Sequence, residues 1–179
     1  MKGVSGSEYA KQSNSNTYTG RKYEELDCQG FVEQVLKDCG VRKPDGTAYN
    51  WKGSNDMWRN ALLWKGTIKE CEALYGALPI GCWLFIVRND GGEVARGYHD
   101  NEGNASHVAI LSREPSETNS CVRDSTRSKS RNGVGYRTLE NFTHVGLPYM
   151  IDYFNDPHTV TKEKALEALE ILTKFIKEC

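Results

Sequence analysis

The feature that most restricts this chain is a change of hydrophobic period along its length. Phe31, Val32, Val35 and Leu36 form an apolar stripe at helical spacing, whereas beyond Pro79 and Gly81 the apolar residues fall into short strand-like runs, 82–87 (CWLFIV) and 107–111 (HVAIL). Helices followed by strands imply an α+β fold. Asp27 is a suitable N-cap for the first clear helix, which begins near Cys28, and Gly40 supplies its stop. The Trp-rich stretch 51–75 is expected to be helical, with most of its tryptophans in the core, and a turn follows at 76–81. Further strands are expected at 120–125, 133–139 and 147–151, so that 82–151 reads as a meandering sheet. The polar segment between the two apolar runs has the Gly, Asn and Asp content of a long connection and is expected to form a rim or lid. After Pro157, the residues Ala165, Leu166, Leu169, Leu172, Phe175 and Ile176 recur at helical spacing. The organisation expected is one domain over 1–156 and an amphipathic helix over 157–179 that packs on the sheet.

Composition excludes several classes of function. The chain has 179 residues, enough for one ordinary core. No apolar run approaches the roughly 20 residues that cross a bilayer, so no membrane insertion is expected. The 23 basic and 24 acidic residues nearly cancel, which removes the long-range field of a nucleic-acid binder. Residues 1–15 are polar and lack the apolar stretch of a secretory signal, so synthesis in the cytoplasm is expected. The six cysteines include no CxxC pair and read as mostly free thiols. His99, His107, His144 and His158 lie far apart with no HExxH pattern, so neither a metal nor another cofactor is expected.

Within this frame Cys28 stands out. In Asp27-Cys28-Gln29-Gly30-Phe31 the thiol falls in the first turn of a helix, where free N–H groups and the helix dipole favour a thiolate, and Gly30 keeps the approach open. A nucleophilic thiolate needs a base that also protonates the leaving group, which suits imidazole. His107 is best placed, at the start of HVAIL after the polar loop; His144 is its main rival, and His99 and His158 read as loop residues. Asp124, on a strand-like stretch at hairpin distance from HVAIL, is the candidate to orient the imidazole. An oxyanion hole is expected from the Cys28 N–H and a donor from Tyr23. Asp27, Gln29, Trp51 and Ser106 are the candidate substrate contacts around nucleophile and base.

Residues 20–32, containing DCQGF, resemble the nucleophile motif of the NlpC (p-sixty) cell-wall cysteine peptidases, usually DCSGF. His107-Val108-Ala109-Ile110 resembles that family's HVGI motif, 78–85 its GDLVFF strand, and 122–125 with 132–134 its HAS segment and following GV strand. The resemblance covers about 20–150 and implies a papain-like fold, with the nucleophile at a helix N-terminus packed on an antiparallel sheet. It also implies hydrolysis of peptidoglycan stem peptides through a Cys28 thioester. Gln29, Cys82 and Asp124 depart from the family's usual Ser, Asp and His. The DCQGF variant and the polar N-terminus are similar to phage and prophage lysins, which implies lysin-like release, bacterial peptidoglycan as partner and room for a further wall-binding domain beyond the chain. A CHAP-like amidase on the same fold, a noncatalytic wall-binding module and an acyltransferase are the competing readings.

Overall fold

The computed structural model describes residues 3–88 and 102–153. The polar N-terminus, in which the composition suggests no element, carries the first helix, α1 (Gly6–Ser13). A capping box starts it: the Ser5 hydroxyl accepts from the Glu8 N–H, and the Glu8 carboxylate accepts from the Ser5 N–H at 3.1 Å. Tyr9 then enters the core, donating to the Val32 carbonyl and accepting from the Trp83 indole at 3.2 Å. The second helix, α2 (Cys28–Asp38), begins where the sequence places it. Asp27 caps it by accepting the Gly30 N–H at 2.7 Å; Phe31, Val32, Val35 and Leu36 are buried; and Gly40 leaves it at φ +74°.

The stretch 51–75 is not one helix. It divides into α3 (Ser54–Asn60), β2 (Leu62–Thr67) and α4 (Ile68–Tyr75). Thr67 and Glu70 form a second capping box, so a new helix starts inside the apolar stretch, and the residues before it pair with a distant strand. Tertiary pairing here overrides local periodicity. Trp51, Trp58 and Trp83 are buried.

The remaining strands are β3 (Trp83–Arg88), β4 (Asn104–Leu111), β5 (Val122–Arg127), β6 (Asn132–Arg137) and β7 (His144–Pro148). They form a six-stranded sheet of order β2-β7-β3-β4-β5-β6 with every neighbouring pair antiparallel. The region is therefore not a plain meander, because β7 returns across the molecule to lie between β2 and β3. Beside it, β8 (Ile151–Asp152) pairs in parallel with β1 (Val4–Ser5). The result is a mixed α/β fold. No helix among the described residues is long and apolar enough to cross a membrane. Cys28, Cys39, Cys71, Cys82 and Cys121 are free thiols. His99, His158, Cys179, most of the expected lid and the expected helix 157–179 lie outside the described residues.

Among the contacts that join the sheet to the segment leading into α2, two involve its backbone carbonyls. The Ser125 hydroxyl donates to the Leu26 carbonyl, and the Val134 N–H donates to the Arg21 carbonyl at 3.1 Å. The second contact needs Gly133, which stands at φ +118°, where a Cβ would overlap the Arg21 carbonyl oxygen. Gly133→Ala is therefore expected to lower stability by about 2–4 kcal/mol, from backbone strain plus overlap. A urea midpoint equal to wild type would exclude this role for the glycine.

Candidate functional site

The side chains expected to act together are brought together. Cys28 is the first residue of α2 and is 8% exposed. Its N–H has no intrahelical acceptor, as at any helix start. His107 follows a register shift between β3 and β4, where Ile86 pairs with His107 and Val87 with Ala105, leaving Ser106 as the extra residue. The β4–β5 hairpin, with Ile110 opposite Arg123 and Leu111 opposite Val122, carries Asp124 to the imidazole. Asp124 Oδ2 lies 2.7 Å from His107 Nε2. That engagement leaves Nδ1 free of the carboxylate, and Cys28 stands close enough to the ring for its charge to act on it. The Phe142 ring lies 6.0 Å from the imidazole, tilted by 31°.

Burial by itself disfavours the imidazolium. The hydrogen bond to Asp124 and the influence of Cys28, with the charges of both, outweigh burial and push His107 up to about 9. Asp124 has no exposed surface. Burial works against its charge too, but His107, Arg131 and Arg137 prevail and hold the carboxyl below its usual range. Arg137 Nη1 donates to Oδ2 at 3.0 Å, and Arg131 Nη2 donates to Oδ1. Sequence reading missed both arginines. The signal for Arg137 lies in the β5–β6 register: Asp124 opposite Gly135 and Val122 opposite Arg137 put Asp124 and Arg137 diagonally on one face.

The other expected site residues are placed as follows. The Tyr23 N–H is taken by the Asn132 side-chain oxygen at 3.4 Å. The Tyr23 phenol is raised above its ordinary value by burial and then by the charges of Cys28 and Asp27, which places it in their electrostatic neighbourhood. Asp27 is exposed and committed to capping. Gln29 donates to Glu33 Oε1 at 2.8 Å and to the Trp51 carbonyl. Trp51 also donates its N–H to Glu33 at 2.6 Å, while its indole stacks on Tyr49 and meets Trp83 edge-on, so it lies in the core. Ser106 is exposed beside His107. His144 opens β7 with its Nδ1 2.9 Å from the Thr143 hydroxyl and its ring against Trp58; burial lowers its pKa, and Glu70 opposes that shift. Among the described residues, no group of three or more His, Cys, Asp or Glu converges to hold a metal ion.

No protein-family model, curated protein or solved structure matches the chain.

Two outcomes follow from the charges. The folded protein raises His107 from its ordinary 6.5 to about 9, so the protonated ring stabilises the fold fully below 6.5 and loses that contribution as pH rises through about 9. The stability advantage of wild type over His107→Gln should shrink over that window in urea denaturation; an advantage that grew with pH would contradict the pairing. Asp124→Ala leaves two guanidiniums and an imidazole without their shared acceptor and is expected to cost roughly 3 kcal/mol. An unfolding free energy within 0.5 kcal/mol of wild type, about the size of an ordinary surface effect, would argue against that dependence.

Proposed function

We propose that the protein is a papain-like cysteine endopeptidase that cleaves stem-peptide amide bonds of bacterial peptidoglycan. The observation that carries this reading is the chain Cys28–His107–Asp124, with the thiol at a helix start and the imidazole and carboxylate on adjacent antiparallel strands. It unites the DCQGF and HVAI segments, the two that most resemble the cell-wall peptidases. In the proposed reaction the Cys28 thiolate attacks the amide carbonyl carbon, forming a C–S bond and an oxyanion. The Cys28 N–H and a donor from Tyr23 receive that charge; since Tyr23's own N–H is bound to Asn132, its phenol is the better candidate. The His107 imidazolium gives its proton to the amide nitrogen, and the amine leaves. Water then attacks the thioester, His107 takes a water proton, the C–S bond breaks, and the free acid departs with the thiolate restored. Asp124 holds the ring in place through both halves.

The test is digestion of purified peptidoglycan followed by mass spectrometry. Wild type is expected to release fragments with new termini inside the stem peptide, with activity persisting in EDTA. Cys28→Ala is expected to reduce release by at least about a thousandfold while leaving the unfolding transition intact. Cleavage between sugar and the first stem residue would instead identify an amidase. No cleavage by wild type, or undiminished cleavage by Cys28→Ala, would refute the reading.

A further inference from the structure

We propose that Arg131 and Arg137 are positioning residues that act on His107 through Asp124, so that the orienting element of the site is a carboxylate held by two guanidiniums. The inference rests on the Cys28–His107 reading of the site.

A buried carboxylate that accepts one imidazole hydrogen bond has two ways to relieve its charge: it can take the proton or swing toward water. Both are blocked here. Oδ1 is occupied by Arg131, and Oδ2 is shared between Arg137 and His107. The two cations have fixed seats of their own. Arg131 Nη1 donates to the Tyr136 carbonyl at 2.9 Å, and its side chain crosses Gly135, where a Cβ would stand 2.5 Å from Nη1. The Arg137 guanidinium lies 5.2 Å from the centre of the Phe142 ring, the same ring that flanks His107. Phe142 therefore backs the arginine and the imidazole together, and Gly135 provides the gap through which Arg131 reaches the carboxylate.

The charged and titratable groups that bear on His107 come from the start of α2, from β5 and, through Asp124, from β6 and the turn before it. Cys28 at the start of α2 and Asp124 on β5 act on the ring directly; Arg131, just before β6, and Arg137, at its end, act on Asp124; Tyr23 and Asp27, which precede α2, lie by Cys28. Arg131 and Arg137 offset the charge of Asp124, so the carboxylate exerts a weaker negative field on His107 and Cys28 than it would alone. Removing either cation makes protons harder to remove from both thiol and imidazole, so their titrations move to higher pH.

The test uses the full chain and reads the pH dependence of Cys28 alkylation by chloroacetamide, followed by mass spectrometry, which needs no wall substrate. Arg131→Met and Arg137→Met are expected to shift the profile upward by roughly half a unit to one unit. Arg137→Lys keeps the charge and is expected to stay near the wild-type profile. The Cβ of Gly135→Ala has its nearest neighbours along the Arg131 side chain rather than on backbone, so the variant is expected to fold, to displace Arg131 and to move the profile in the direction of Arg131→Met. With peptidoglycan fragments as substrate, the Met variants should lower kcat about tenfold with KM within about twofold. If Arg131→Met and Arg137→Met do not fold, the proposal is decided on Gly135→Ala alone. Folded variants with the wild-type alkylation profile would overturn the clamp even if wall peptides are released. Shifted profiles in a protein that releases no wall peptide would uphold the clamp and defeat the peptidase reading.

Discussion

A carboxylate without solvent contact must be compensated, and the charge of Asp124 organises this molecule. Its donors come from β4, from the turn before β6 and from the end of β6. One oxygen pair thus fixes the relative positions of three neighbouring chain segments. A slip of one residue in the β5–β6 register would send Asp124 to the opposite face, away from Arg137, and leave the charges unmatched. The register that satisfies the carboxylate is also the one that keeps it facing His107.

The sheet also sets where the nucleophile stands. Ser125 holds the Leu26 carbonyl, and Gly133 lets β6 approach Arg21, so the segment entering α2 is tied to the strands that carry Asp124 and its arginines. Asp27 then starts the helix one residue before the thiol. Helix position and imidazole position are therefore two readings of the same pair of strands. Within the helix side of the site, Glu33 draws the Trp51 backbone and the Gln29 amide together, closing the loop before α3 onto α2.

What could be read from residues alone was what local chemistry determines. Asp27, the apolar stripe and Gly40 delimit α2; CWLFIV and HVAIL mark β3 and most of β4; hairpin distance was enough to associate Asp124 with His107. The misses have physical causes. Helix α1 is too polar to show an apolar period, though Ser5 and Glu8 mark its start. Leu62 and Trp64 resemble the helical residues around them and become strand through pairing with 144–148, some eighty residues away. Arg131 and Arg137 sit among Ser, Lys and Gly like solvated surface charges, and only the strand register turns them toward a buried acid. Asp27 and Gln29 adjoin the nucleophile and Ser106 adjoins the base, but sequence position does not distinguish a groove wall from the internal bonds that hold Gln29 and Trp51.

The place of β7 between β2 and β3 also governs how the chain assembles. Cys28, His107, Asp124 and both arginines precede residue 144, yet the strand that joins the two halves of the sheet comes after all of them. As the chain leaves the ribosome, β3 has one edge unpaired until 144–148 has emerged. Closure then waits for contacts of long sequence separation, a topology that folds slowly and leaves an open strand edge in the interval. Truncation just short of this strand would therefore retain every residue of the site and lose the sheet that holds them in register.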